Sequence, residues 1–285
     1  MGTTKEVKKP KRRIMLIVAY DGTDYCGWQI QANGVSIEEV LTGAVEKVTG
    51  VRTIVYGASR TDAGVHALGN VAVFDTTCTI EGDMFARAVN TYLPDDIRVR
   101  ASCEVPAGFH PRYGEILSDP VTIEGADGPK RPKAIKTYEY YVMNTTDIIP
   151  TERRTHWYLS YPLDLDQMRR AAKYLIGEHD FTSFCCPRTG VATRVRELTK
   201  IDITQEGDLI IFHIEGSGFL MHMVRIIVGT LVRVGRGYYR PSRVLEILEA
   251  KDREEAGPTA PAHGLFLIGI DYPVFSTENT QQEDR

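Results

Sequence analysis

The sequence predicts an α+β fold: two ferredoxin-like βαββαβ halves sharing a mostly antiparallel central sheet, with helices on one face. Two observations carry that expectation. A chain of 285 residues suits one large domain or two fused halves. Along it, the same order of strand-like and helix-like segments runs twice, with no close sequence repeat. Apolar residues make up 42% and charged residues 25%, which is enough apolar material for a sizeable core.

In the first half, Ile14–Tyr20 reads as a strand. Ser36–Thr49 reads as a helix, with Ser36 as N-cap and Glu39 completing a capping box. Thr53–Tyr56 and Asn70–Asp75 read as strands, Asp83–Tyr92 as a helix and Ile97–Cys103 as a strand. In the second half, Thr137–Met143 is an expected strand and Asp164–Ile176 an expected helix. Arg196–Thr204 and Leu209–Glu215 pair across the hairpin-like turn Gln205-Glu206-Gly207-Asp208. Phe219–Val234 is an expected helix and Leu265–Tyr272 a strand, with one more helix, Pro241–Ala250, inserted between them and carrying Pro in its first turn.

These segments imply an organisation. Residues 1–13 form a basic flexible arm, 14–113 the first half, 114–136 a long loop insert, 137–273 the second half, and 274–285 a disordered tail. The insert is rich in Gly, Pro and charge, and loops of that length are often functional rather than core.

The five cysteines are odd in number and lack CxxC spacing, which disfavours a disulfide framework or a zinc site and fits a reducing cytoplasm. No signal peptide is expected, because residues 1–13 are basic and polar with no apolar run behind a cleavage site. The longest apolar stretch, Phe219 to Val234, holds His222, Arg225 and Arg233, so no membrane span is expected either. Net charge is −4, but residues 1–13 carry +5 and residues 274–285 carry −2, leaving −7 on the body. A body of that sign repels a polyanion unless its cations gather on one face. Arg188, Arg194, Arg196 and Lys200 lie close in sequence, as do Arg225, Arg233, Arg236, Arg240 and Arg243. For any one of them a solvated surface position is the plainer reading.

The loop Arg60-Thr61-Asp62-Ala63-Gly64-Val65-His66 packs a cation, a hydroxyl, a carboxylate and an imidazole between two β-like runs. Asp and Gly favour turns for local reasons alone, yet a carboxylate with neighbouring donors can also act as nucleophile or general base. Asp62 and His66 are four apart, a metal-ligand spacing on a helix. The glycine between them and the flanking strands argue against that helix, so no metal is expected. Far away in sequence, Arg225 sits inside the apolar run Val224–Val228. A buried guanidinium needs an anionic partner, whether a structural ion pair in the core or a catalytic carboxylate. His222, Arg225 and Gly229 share one helical face at i, i+3 and i+7.

Six motifs together carry a resemblance: Tyr20-Asp21-Gly22-Thr23-Asp24-Tyr25-Cys26-Gly27-Trp28-Gln29-Ile30-Gln31, the Arg60–Ala67 loop, Phe109-His110-Pro111-Arg112-Tyr113, His179-Asp180-Phe181-Thr182-Ser183-Phe184, Gly218–Leu231, and Ala260-Pro261-Ala262-His263-Gly264-Leu265-Phe266-Leu267. In this order, from about Ile14 to Pro273, the chain resembles the TruA family of tRNA pseudouridine synthases. The resemblance implies Asp62 as the catalytic aspartate, Arg60 as the cation that helps prise the target base out of the stem, and Arg225 as the counter-ion of the carboxylate. It implies Tyr138 packing on the uracil and Leu265 as an apolar contact to it. It further implies tRNA as substrate, at nucleotides 38, 39 and 40 of the anticodon stem-loop, and a homodimer without cofactor or metal. One departure is the insert, Glu115 to Ile135, where a short connection is expected. Its basic end, Lys130-Arg131-Pro132-Lys133, could touch RNA, but a solvated excursion is the favoured reading.

Two rivals stand beside this expectation. A non-catalytic RNA-binding protein has no need of a carboxylate facing an anionic ligand. A metal-dependent phosphotransferase would use Asp62 and His66.

Overall fold

The computed structural model describes residues 10–114, 134–188, 190–272 and 275–276. Strand β1 (Arg12–Tyr20) buries Ile14 to Val18 without alternation, as a strand covered on both faces does. It lies antiparallel between β3 (His66–Thr76) and β4 (Ile97–Val105). Helix α1 (Ile37–Thr49) starts where the Ser36 hydroxyl accepts the Glu39 N–H at 3.2 Å, and ends at Gly50. The expected Thr53–Tyr56 strand shrinks to β2, Tyr56–Gly57, on one edge of β3. Helix α2 (Met84–Asn90) buries Phe85 and Val89.

The second half opens with β5 (Ile135–Met143) and a two-residue strand β6 (Trp157–Tyr158). Helix α3 (Leu165–Ala172) is capped by the Asp164 side chain, which accepts the Gln167 N–H at 3.0 Å. Short β7 (Gly177–Asp180) precedes the hairpin of β8 (Val195–Glu206) and β9 (Leu209–Gly216), which turns at Gly207-Asp208. Helix α4 (Met223–Gly235) is buried around most of its circumference, and α5 (Arg243–Ala250) follows. Strand β10 (Leu265–Tyr272) and β11 (Phe275–Ser276) complete the described sheet.

Among the described residues, eleven strands form one mostly antiparallel sheet, with the main order β4-β1-β3-β10-β5-β9-β8-β7. Its centre is the parallel join of β3 and β10, at His66↔Phe266 and Ala67↔Leu267. Parallel pairing brings the N-terminal ends of both strands to the same place. The loop before β3 carries Asp62, and β10 begins at Leu265, so topology alone brings these two together. Strand β5 flanks β10 on its other side, with Tyr138 opposite Leu267.

Several expected boundaries move. Arg12 and Arg13 belong to β1 and not to a flexible arm: their guanidinium groups reach Glu104 and Asp75, each at 2.7 Å. Ile135 and Lys136 belong to β5 and not to the insert, and Phe275–Ser276 pair with β10 and not with a tail. Helix α4 begins at Met223, four residues later than expected, because His222 takes a left-handed backbone (φ 63°). Residues 1–9, most of the insert (115–133) and 277–285 lie outside the described residues, so the expectations placed on them are not addressed. No described helix is long and apolar enough to cross a membrane.

Candidate active site

The Asp62 loop is held from below by the first motif. Tyr20 Oη lies 2.7 Å from Thr61 Oγ1, and the Trp28 N–H donates to the Thr61 carbonyl at 3.1 Å. Gly27 (φ 102°) comes so close that an added Cβ would lie 2.7 Å from the Thr61 oxygen. The loop closes on itself where the Val65 N–H donates to the Asp62 carbonyl at 3.1 Å, with Gly64 at φ 76°. His66 is spent on this scaffold. Its Nδ1 accepts the Gly22 N–H at 3.2 Å, its Nε2 faces the Arg154 carbonyl at 2.9 Å, and its ring stacks on Phe266 at 4.5 Å. Burial lowers its pKa, opposed foremost by Asp21, whose Oδ1 lies 3.1 Å from the same Nδ1. With both nitrogens engaged, His66 has none to offer a metal.

Asp62 itself faces a cavity of about 530 Å³ that Arg60, Tyr138, Phe219, His222 and Leu265 also line. Arg225 Nη1 stands 3.2 Å from Asp62 Oδ2, while its Nε donates to the Ala260 carbonyl at 2.8 Å. The buried-looking arginine of the sequence is therefore the partner of the loop carboxylate. His222 Nε2 lies 3.8 Å from the same oxygen. The imidazole is aimed there by the αL backbone at His222, a conformation that costs a non-glycine residue energy and clusters at functional sites.

Tyr138 is buried, and its hydroxyl lies 3.0 Å from Ser59 Oγ. Its ring meets Phe219 edge-on at 4.9 Å. Burial pushes its phenol up to about 12; the Ser59 hydrogen bond opposes this and the Asp62 charge adds to it. Leu265 is buried in the cavity wall at the start of β10. Arg60 is exposed at the cavity edge and has no ion pair among the described residues. The structure thus gathers Asp62, Tyr138, Leu265 and Arg60 around one cavity, with Arg225 paired to Asp62.

Three residues here carried no functional expectation from the sequence. His222 was placed on the helix, as a face mate of Arg225. Ser59 immediately precedes the polar loop and carried no signal of its own. Lys136 was assigned to the insert, yet it shares strand parity with Tyr138, Tyr140 and Val142, all of which are buried. That period of two was the available signal.

Comparison with known proteins fits this geometry. The family model for tRNA pseudouridine synthase matches residues 16–114 and 171–273. The chain is 44% identical over 261 residues to tRNA pseudouridine synthase A of Thermoanaerobacter sp. (strain X514), covering 92% of this chain and 100% of that one. The chain belongs to the tRNA pseudouridine synthase family. It is therefore an isomerase. Similar relatives include tRNA pseudouridine synthase A of Exiguobacterium sp. (strain ATCC BAA-1283 / AT1b), 43% identical over 92% of this chain and 98% of that one. That of Geobacter sp. (strain M21) is 40% identical, over 92% and 99%. In this synthase, Arg60, Asp62, Arg225 and Leu265 fall within the matched segments, whereas Tyr138 and Lys136 fall between them.

Proposed function

We propose that this synthase converts uridine to pseudouridine at nucleotides 38, 39 and 40 of the tRNA anticodon stem-loop, with Asp62 as its catalytic group. The observation that carries the reading is a loop carboxylate held at 3.2 Å by a guanidinium from a buried helix, at the edge of a cavity large enough for a nucleoside. The reaction breaks the bond between ribose C1′ and N1 and forms one between C1′ and C5. The proton lost from C5 balances the one gained at N1. An Asp62 carboxylate can attack C1′, or take a proton from the ribose; both routes use the same group.

Tyr138 and Leu265 form the walls between which the detached uracil turns without leaving. Arg225 holds Asp62 in place, and exposed Arg60 helps prise the target base out of the stem. Extruding a paired base costs roughly a few kcal/mol, which contacts to the RNA backbone offset. The sheet orders β4-β1-β3 and β10-β5-β9-β8 support reading residues 14–113 and 137–273 as two ferredoxin-like units with helices on one face. A homodimer working in the cytoplasm on tRNA completes the proposal, on the strength of family resemblance.

The test is incubation of the protein and of Asp62→Ala with unmodified tRNA transcripts. Loss of pseudouridine with tRNA binding retained supports the reading. Full activity in the variant overturns it, and unmodified RNA with the parent protein favours a pure binder.

A further inference from the structure

Lys136 is buried on β5, opposite Gly216 of β9 and Ile270 of β10. Its ammonium donates to the Ala58 carbonyl at 2.8 Å and to Ser59 Oγ at 3.1 Å. No carboxylate lies within ion-pair distance of it among the described residues. A buried, uncompensated cation is costly to a fold, and an apolar chain of equal length would serve packing better. Its neighbour in the chain of hydroxyls is Tyr138, 3.0 Å beyond Ser59 Oγ.

We propose that Lys136, acting through Ser59, fixes the direction of the Tyr138 hydroxyl in the cavity and so positions that tyrosine for the isomerisation. The argument is one of donors and acceptors. An ammonium can only donate, so Ser59 Oγ accepts from it, which spends one of its lone pairs and favours turning its own hydrogen to the Tyr138 oxygen. The Tyr138 hydrogen is then left to point into the cavity. Neutral Lys136 can accept instead, which reverses the chain and presents the phenol lone pairs to the cavity. Little else is free to move. The Tyr138 ring is pinned edge-on by Phe219, and Asn70 Nδ2 holds the Ser59 carbonyl at 3.0 Å.

The donor orientation suits the chemistry, because glycosidic cleavage leaves electrons on the uracil and a hydroxyl hydrogen stabilises them. Lys136 is thus a positioning residue, one that acts on Tyr138 through Ser59. Its ionisation falls near neutrality: burial pulls it down to about 7, helped by the cations of Arg112 and Arg196. The other titratable groups that face it are Tyr138 and, beyond it, Asp62; Gly216 and Ile270 on the flanking strands carry no charge.

The inference rests on the proposed function above, and its failure is separable from the failure of that reading. Steady-state pseudouridine formation is followed from pH 5.5 to 9 for the parent, Ser59→Ala and Asp62→Ala. The parent rate is expected to fall as pH rises through an inflection near 7. Ser59→Ala is expected to lose at least about tenfold in kcat, about 1.4 kcal/mol, with KM for tRNA within twofold and the inflection gone. A folded Ser59→Ala with the parent's kcat and pH profile overturns the inference, and so does a lowered kcat with the inflection intact. Lys136→Met adds a second arm if it folds; Ser59→Ala decides without it. A parent with no activity, or an active Asp62→Ala, instead defeats the functional reading.

Discussion

Arg225→Met removes the guanidinium that stands 3.2 Å from Asp62 and leaves the carboxylate facing an apolar helix. At an effective dielectric of about 20, unit charges at that distance attract by about 5 kcal/mol. Desolvation of both groups cancels much of this. Breaking a fully buried pair costs about 3–5 kcal/mol. Asp62 retains 21% and Arg225 15% side-chain exposure, so water recovers part of the loss. Losing the bond from Arg225 Nε to the Ala260 carbonyl adds about 1 kcal/mol. The expected cost is about 2–3 kcal/mol, at or just below the bottom of the buried range because Asp62 partly rehydrates. With an unfolding entropy of about 2.1 cal/mol/K per residue over 285 residues, that lowers Tm by about 3–5 °C. Differential scanning calorimetry reads the stability, and single-turnover pseudouridine formation reads the rate, expected to drop at least about a hundredfold because the carboxylate loses its fixed position. A variant that matches the parent in both Tm and rate refutes the pairing argument.

Three further expectations follow from the same geometry. His222→Gly relieves an αL backbone at φ 63° but removes the imidazole beside Asp62. Its Tm should stay within about 2 °C of the parent, since strain relief of about 1 kcal/mol offsets glycine's entropy, while kcat falls. A large Tm loss would make His222 a structural residue. On β9, His213 bridges Glu139 at 3.2 Å and Glu215 at 2.7 Å. Hydrogen bonding to these carboxylates, Glu139 foremost, raises the His213 pKa above 6.5, and the bond to His213 leads in lowering that of Glu139 below 4.5. The histidine's contribution is full below pH 6.5 and is lost as pH climbs through its raised value; the glutamate's is full above 4.5 and is lost as pH falls through its lowered one. Parent minus His213→Leu stability, from urea titrations, should therefore peak between pH 4.5 and 6.5; a flat difference rejects the network. Finally, tRNA affinity should weaken steeply with salt, and Arg112→Gln at the cavity wall should reduce the log–log slope by about 0.7–0.9 if Arg112 meets a phosphate. An unchanged slope places Arg112 off the RNA path.

Asp62 and Arg225 were legible because each broke its local pattern: a carboxylate between strands, and a cation in an apolar helix. From the residues alone their meeting was legible only as a need for some partner, and the family resemblance supplied the pairing, since the parallel β3–β10 join that brings the two halves together is a non-local pairing. Local pattern also set the limits. Thr53 and Ile54 have strand-like side chains, yet only Tyr56–Gly57 find a partner on β3. Strand β3 begins at His66, four residues before the expected Asn70, and Gly69 within it is where the chain lies against the Ile268 carbonyl. Lys136 was hidden by the polar insert that leads into it, and His222 by a helical pattern that its own backbone terminates.

Site-resolved pseudouridine mapping of unmodified tRNA transcripts after incubation with the parent and with Asp62→Ala tests the central claim most directly. The account predicts pseudouridine at nucleotides 38, 39 and 40 with the parent, none with the variant, and the same tRNA affinity for both. Full modification by Asp62→Ala, or modification by the parent only outside the anticodon stem-loop, contradicts it.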